Sequence, residues 1–336
     1  MRSAGFLLLI AFLTGCGNTQ TRPEAGAREL PRKVEAIRIE EVPRDTLTLP
    51  NAARSIKFAI IGDSGRGSKE QHDVAAQMVA FRQRFKFEFV LMVGDNIYEG
   101  PATAEDYRLK FEDPYQPLLD AGVKFYAALG NHDDSNQIYY KPFNMGGDRY
   151  YTFAPPVDPI TRLDTRVRFF VLDSTYLSRA QVQWFEKEST ASGADWKIAF
   201  LHHPVYTSGR YTLAARGIRF ALEAAFARGG IDVVFSGHEH IYERAELQGG
   251  ILYFITGGAG SLREGDAAPS PVIARGYDRD YHFMLAEISD DAFSFQAINR
   301  VGLTIDAGTL RPSTALRPAP STVAGRRPTA GTAAHR

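Results

Sequence analysis

Apolar positions along the chain follow two alternating rhythms. Short runs that are apolar almost throughout have the length and the β-branched or aromatic content of buried strands: Ile56–Ile61, Phe89–Val93, Val123–Leu129, Val167–Leu172, Trp196–Leu201 and Ile231–Phe235. Between them, apolar residues recur at helical spacing. Val74, Met78, Phe81 and Phe85 mark a helix over 70–85, and 105–120, 179–188 and 214–228 read the same way. Strands alternating with helices imply βαβ units and largely parallel pairing, hence an α/β fold. Later runs at 251–256, 281–288 and 292–298 follow one another without a helix. They are expected to build a second, mixed sheet packed on the first.

The ends lack this patterning. Arg2 precedes the apolar run Phe6–Leu13, which is shorter than the roughly 20 residues a membrane-spanning helix needs and fits a signal peptide over 1–15. Leu13-Thr14-Gly15-Cys16 resembles the bacterial lipobox, in which the cysteine is acylated and becomes the N-terminus. Cys16 is the only cysteine, so the fold is held without disulfides. These features predict a lipoprotein of the bacterial cell envelope, anchored in a membrane and facing the periplasm or the cell surface. Residues 16–50, rich in Pro, Arg, Glu, Thr and Ala, read as a tether, and 51–305 as the folded domain. Residues 306–336 carry too little apolar surface for a core and read as a disordered tail. Lysine plus arginine (39) equals aspartate plus glutamate (39), which argues against a nucleic-acid binder. Attraction for an anionic substrate must then be local.

Each group of candidate chemistry falls just after an expected strand, where open α/β sheets form their sites. The groups are Asp63-Ser64-Gly65, Gly94-Asp95-Asn96-Ile97-Tyr98, Gly130-Asn131-His132-Asp133, His202-His203-Pro204 and Gly237-His238-Glu239-His240. Glycines 62, 94, 130 and 237 are expected to supply the tight turns. Asp, Asn, Tyr and His suit hard or borderline ions, and two close metals are standard equipment for phosphate-ester hydrolysis. Neighbouring strand residues face opposite ways, so His202 and His203 should not share one metal; His203 is a substrate-side group or a core histidine. Arg210 is either a fork for a substrate anion or a surface residue. His72, His282 and His335 read as structural or solvated. Glu243-Arg244 reads as a structural ion pair or as an orienter of the ligands, and Asp133 and Asp134 as supports behind them.

Together these motifs resemble the calcineurin-like metallophosphoesterase superfamily, in the form of the purple acid phosphatases, the tartrate-resistant type included. Arg149–Phe153, Leu172-Asp-Ser174, Gly237–Arg244 and Thr256–Gly260 carry the likeness further, so that it covers roughly residues 55–300. Most of the superfamily has Asp-x-His in the first motif; here that position is Gly65, and the second motif offers Tyr98 instead. The fourth motif, usually Val-x-x-His, reads Ala199-Phe-Leu-His202. The resemblance implies a four-layer α/β/β/α sandwich of two mixed sheets flanked by helices. It implies that Asp63, Tyr98 and His240 hold one metal, that Asn131, His202 and His238 hold the other, and that Asp95 bridges both. A phenolate ligand implies Fe(III) in the first site, with Fe(II), Zn or Mn in the second, and a metal-activated hydroxide as nucleophile. Asn131 and His132 are implied at the substrate, His132 as acid or electrostatic catalyst, and His203 is a further catalytic candidate. The implied substrates are small phosphomonoesters, at acidic to neutral pH. A phosphodiesterase or nucleotidase on the same centre is the alternative. A surface lipoprotein that only binds phosphate or a partner would break a ligand position, and none is broken. Peroxide chemistry at iron would be a side activity.

The lipobox reading is tested at one residue. Cys16→Ser is expected to abolish acylation and move the protein from the membrane fraction to a soluble or unprocessed form. Mass spectrometry of the mature N-terminus decides, and processing elsewhere without a lipid mass would exclude the anchor.

Overall fold

The computed structural model describes residues 32–156, 166–289 and 291–311. The leader, Cys16, the first half of the tether, and the tail from 312 with His335 lie outside the described residues. Among the described residues no helix is long and apolar enough to cross a membrane. The strands are β1 (Lys33–Ala36), β2 (Ile56–Ile61), β3 (Phe89–Met92), β4 (Lys124–Ala127), β5 (Tyr151–Phe153), β6 (Val167–Val171), β7 (Trp196–Phe200), β8 (Val233–Ser236), β9 (Tyr242–Ala245), β10 (Leu252–Thr256), β11 (Ile273–Tyr277), β12 (His282–Ile288), β13 (Phe293–Asn299) and β14 (Thr304–Arg311). The α-helices are α1 (Lys69–Arg82), α2 (Ala104–Tyr107), α3 (Asp113–Asp120), α4 (Arg179–Ala191) and α5 (Thr212–Gly229).

Two mixed sheets form, in the orders β1-β14-β13-β12-β2-β3-β4 and β11-β9-β10-β8-β7-β6-β5. Their inner faces meet in one core, where Phe58 and Phe89 of the first sheet pack edge-on against Phe169 of the second. The outer face of the first sheet is covered by α1 and α3 through Val74, Met78, Phe81, Tyr115 and Leu118. That of the second is covered by α4 and α5 through Phe185, Leu222 and Phe226. Near-continuous apolar strands are what burial on both faces demands. The architecture is the four-layer α/β/β/α sandwich.

Three sequence expectations change. The late strands do not make a sheet of their own. β12 pairs antiparallel with β2, so β12–β14 complete the first sheet, while β10 joins β8 in the second. The sheet also reaches into both ends: β1 pairs with β14, register Lys33↔Arg311 to Ala36↔Gly308, inside stretches read as tether and tail. These strands are short or polar on one side, so their periodicity is weak. Finally, the helix expected over 105–120 is interrupted by a π-turn at Arg108–Glu112. Pro114 has no N–H to offer the carbonyl of Lys110, which accepts instead from Gln71 Nε2 at 2.7 Å.

Glu243 and Arg244 do not pair with each other. Glu243 accepts from the amide and hydroxyl of Ser208. Arg244 donates to Asp306 of β14 at 2.7 Å, and Tyr242 donates to the same carboxylate at 2.8 Å. Both partners of the ion pair are buried. Asp306→Ala leaves a guanidinium buried without its counter-charge and is expected to cost about 3–5 kcal/mol of stability. Urea unfolding measures it; a loss below about 1 kcal/mol would mean that β14 contributes little to the fold.

Candidate metal centre

The parallel strands β2, β3 and β4 of one sheet and β7 and β8 of the other end at the same edge of the sandwich. Asp63, Asp95 and Asn131 follow the first three, and His202, His238 and His240 the last two. A bond across the sheets fixes the two groups together, the amide of His238 donating to Asp63 Oδ2 at 2.9 Å. The turns themselves differ from expectation. Asp63 and Asp95 (φ 53° each) and His238 (φ 68°) are themselves left-handed, a conformation that non-glycine residues enter only when the surroundings enforce it. Of the preceding glycines, Gly94 is left-handed as well (φ 95°), as a tight turn asks, and Gly62, Gly130 and Gly237 mainly provide room. A Cβ on Gly130 would lie 2.1 Å from Asp95 Oδ1, and one on Gly237 2.3 Å from Asp63 Oδ2. Gly65 is closed to any side chain, since its Cβ would meet the Asn96 carbonyl at 2.0 Å.

Two sets of donor atoms converge. In the first, the Tyr98 hydroxyl lies 3.2 Å from Asp63 Oδ1 and 3.1 Å from His240 Nε2, which is 3.3 Å from Asp63 Oδ1. Asp95 also offers an oxygen to this group. In the second, His202 Nε2 lies 3.0 Å from Asn131 Oδ1, 3.3 Å from Asp95 Oδ1 and 3.3 Å from His238 Nδ1. Asp95 therefore stands between the sets. Ligands about 2.1 Å from a shared ion sit roughly 3.0–3.4 Å from one another, so these spacings are those of coordination shells. His202 Nδ1 donates its proton to the Val93 carbonyl at 3.0 Å, which leaves Nε2 as a bare lone pair. That lone pair faces the oxygens of Asn131 and Asp95, and acceptors do not gather this way without a cation between them. The residues present fit two metal ions.

The electrostatics agree. Burial pushes the Asp63 carboxyl up to about 8, with the charge of Asp95 adding to it. Burial opposes ionisation of Asp95 too, but the amide of His132, 3.0 Å from Oδ1, and a positive charge at the His202 edge, which a proton or a bound cation there supplies, hold that carboxyl below its usual range. Burial, Asp63 and Asp95 push the Tyr98 phenol far above its ordinary value. Burial lowers His240 and His203 to about 4 and His238 to about 2, so their rings are neutral at pH 7 and free to ligate. A site of buried carboxylates and neutral imidazoles is short of positive charge.

The remaining site residues find their places. His132 is exposed, its ring 5.0 Å from that of Tyr98. His203 lies beyond the end of β7, so strand alternation does not govern it. Its ring packs 4.4 Å from that of His238, and its amide and Nδ1 both meet Ser174 Oγ, at 2.8 and 2.9 Å. It is a site residue and not a core histidine. Arg210 binds Asp266 through Nε at 2.7 Å and Nη2 at 3.0 Å, so its fork is already filled. His72 is exposed on α1, and His282 is wholly buried beside the Tyr242 ring. Asp133 supports three backbone groups, the amides of Asn96, Ile97 and Gly130, at 2.7–3.0 Å. Asp134 caps a turn through the amide of Asn136. The sequence reading passed over Arg66 and Arg263 and named Tyr211 only as a residue that the loop after His203 offers. The guanidinium of Arg66 lies 3.5 Å over the Tyr98 ring, and the ring of Tyr211 4.3 Å from that of His238. Arg66 directly follows the first motif, whereas Arg263 comes in from a loop whose spacing to the ligand motifs carries no signal.

Comparison with known proteins agrees with this geometry. Purple acid phosphatase 17 of Arabidopsis thaliana is 26% identical over 267 residues, covering 70% of this chain and 78% of its own length. Among solved structures, GAP50, the anchor in the inner membrane complex of Plasmodium, superposes with a TM-score of 0.65 at 19% identity, over 77% of this chain and 89% of that one. Purple acid phosphatase PPD1 of yellow lupin (Lupinus luteus) superposes with a TM-score of 0.59 at 16% identity, over 78% of this chain and 54% of that one. The sequence profile of the calcineurin-like phosphoesterases matches residues 56–242, a span that contains all seven converging donor residues, and the chain belongs to that family of hydrolases.

Proposed function

We propose that this protein hydrolyses small phosphomonoesters at a dinuclear centre, as an acid phosphatase of the purple type anchored to the cell envelope through Cys16. The observation that carries the catalytic part is the convergence of the His202, Asn131 and Asp95 lone pairs beside the Asp63, Tyr98 and His240 set. Asp63, Tyr98 and His240 would hold Fe(III), Asn131, His202 and His238 a divalent Fe, Zn or Mn, and Asp95 both. Such ions supply a water that is deprotonated near neutral pH and positive charge for the phosphate oxygens. The chain's own groups do the rest. The His202 proton on Val93 keeps Nε2 available. His132, exposed beside Tyr98, is placed to give a proton to the leaving oxygen. The Ser174 hydroxyl accepts from the His203 amide and lies 2.9 Å from His203 Nδ1; donating there leaves the proton on His203 Nε2, free for a phosphate oxygen.

His202→Ala is expected to lose the second metal and nearly all activity. His203→Ala should keep both metals and lose activity only in part. Plasma emission on reconstituted protein measures this, and loss of metal from the His203 variant would shift the ligand register by one residue. Wild-type protein holding one ion or fewer would exclude the dinuclear reading.

A phenolate on Fe(III) transfers charge to the metal on excitation, so the iron-loaded protein should be coloured. Tyr98→Phe keeps the ring and its packing and removes the oxygen; the visible band should vanish at equal iron. A band that survives in the variant would make Tyr98 a packed aromatic and withdraw the purple-type assignment.

A further inference from the structure

We infer that the outward face of α5 is a lipid-binding surface, through which Leu213 and Phe220 enter the headgroup region of an anionic membrane while the arginines beside them meet its phosphates. The inference rests on the Cys16 anchor proposed above and adds which side of the protein that anchor brings to the membrane.

Helix α5 is apolar on two sides. Leu222, Ala225 and Phe226 face inward and pack on the second sheet. Opposite them, Leu213, Gly217, Phe220, Ala224 and Ala227 recur at alternating steps of four and three, which sets them on one line along the helix. All five are exposed. Phe220, 92% exposed, and Leu213, 79% exposed, are the two most exposed large apolar side chains among the described residues. One exposed leucine needs no explanation. A line without a charged group on the solvent side of an 18-residue helix does, because that side is where charge belongs. A Cβ on Gly217 would meet nothing within 4 Å, so no packing inside the chain accounts for the glycine in the line.

Charge and the path of the chain decide what covers this face. The outer layer formed by α4 and α5 carries five Lys and Arg against three Glu. The opposite layer, α1 to α3 with the π-turn, carries four against seven Asp and Glu. An anionic surface attracts the α5 side and repels the other. Arg216 and Arg228 are exposed on the two flanks of the apolar line, the arrangement of a helix that lies in a membrane interface. A second copy docked through the same face would set this positive excess against itself. The anchored end of the chain enters at the same place. Arg32 pairs with Asp232 and donates to the Gly250 carbonyl at 3.4 Å. Asp232 stands two residues after Gly230, the C-cap of α5. Residues 17–31 between Cys16 and Arg32 span at most about 55 Å, and α5 is about 27 Å long, so the anchor reaches any point along it. At its other end α5 starts directly after Tyr211, whose ring packs 4.3 Å from that of His238. A docked α5 therefore holds the rim of the metal centre beside the lipid.

The test uses thiol labels. Cys16 is the only cysteine, so in the acylated protein an introduced cysteine is the only free thiol. Phe220→Cys, Leu213→Cys and, on the opposite layer, Leu109→Cys are labelled with a polarity-sensitive dye in the full chain. Each is reconstituted into phosphatidylethanolamine vesicles containing phosphatidylglycerol. Emission from positions 213 and 220 should move to shorter wavelength and be quenched by nitroxide-bearing lipids, and emission from position 109 should do neither. Vesicles of phosphatidylcholine should diminish both effects. Equal emission at the three positions, or a signal indifferent to phosphatidylglycerol, would overturn the inference. So would a shift without quenching, which would put a second copy on the helix. Wild-type protein reads the anchor separately, since its acylated thiol takes up no dye. If it does take up dye, the anchor reading falls, and the labels are read in the Cys16→Ser chain with the same vesicles. There the same pattern sustains the lipid-binding surface and its absence overturns it.

Discussion

Everything at this centre follows from acceptor atoms being pressed together where water cannot screen them. Asp63, Asp95 and His202 are buried almost completely, with their oxygens and the His202 lone pair 3.0–3.3 Å from other acceptors or from imidazole nitrogens. Such a cluster repels itself in a low-dielectric interior unless protons or cations lie within it. The response of the protein alone is visible in Asp63, whose carboxyl is raised to about 8, and in Tyr98, whose phenol is held protonated. Bound cations reverse both shifts at once. The centre is therefore destabilised in a way that only its ligands relieve, and the rest of the fold has to hold it together meanwhile.

It does so with backbone. The amide of His238 binds Asp63 across the two sheets, the amide of His132 binds Asp95, and the carbonyl of Val93 fixes the His202 tautomer. Asp133 gathers the turns after β3 and β4 by accepting three amides. These bonds come from main chain at strand ends, the stiffest parts of the sandwich, so donor positions are set before any ion arrives. Left-handed backbone at Asp63, Asp95 and His238 is the accompanying strain. The glycines around them exist because turns of two sheets pass within a side chain's radius of one another.

The sequence by itself determined the strand-and-helix rhythm, the places where that rhythm stops, and the chemistry at those places. Short uninterrupted apolar runs rich in β-branched and aromatic residues suit strands buried on both faces, and donors that follow such strands project at their ends. For that reason the seven donor residues and His132 were legible, and the register that puts His202 rather than His203 among them agrees with the contacts. Tertiary structure alone decided what depends on distance through space. Weakly patterned strands at both ends joined the first sheet because a neighbour's edge was open to pair with, which no local pattern encodes. Pro114 broke a helix whose apolar spacing looked continuous. Arg210 and Arg263 are alike as sequence, each an arginine in a loop. One grips Asp266 with two nitrogens, the other rests against Tyr211 and the His238 carbonyl, and partners of that kind exist only once the chain is folded.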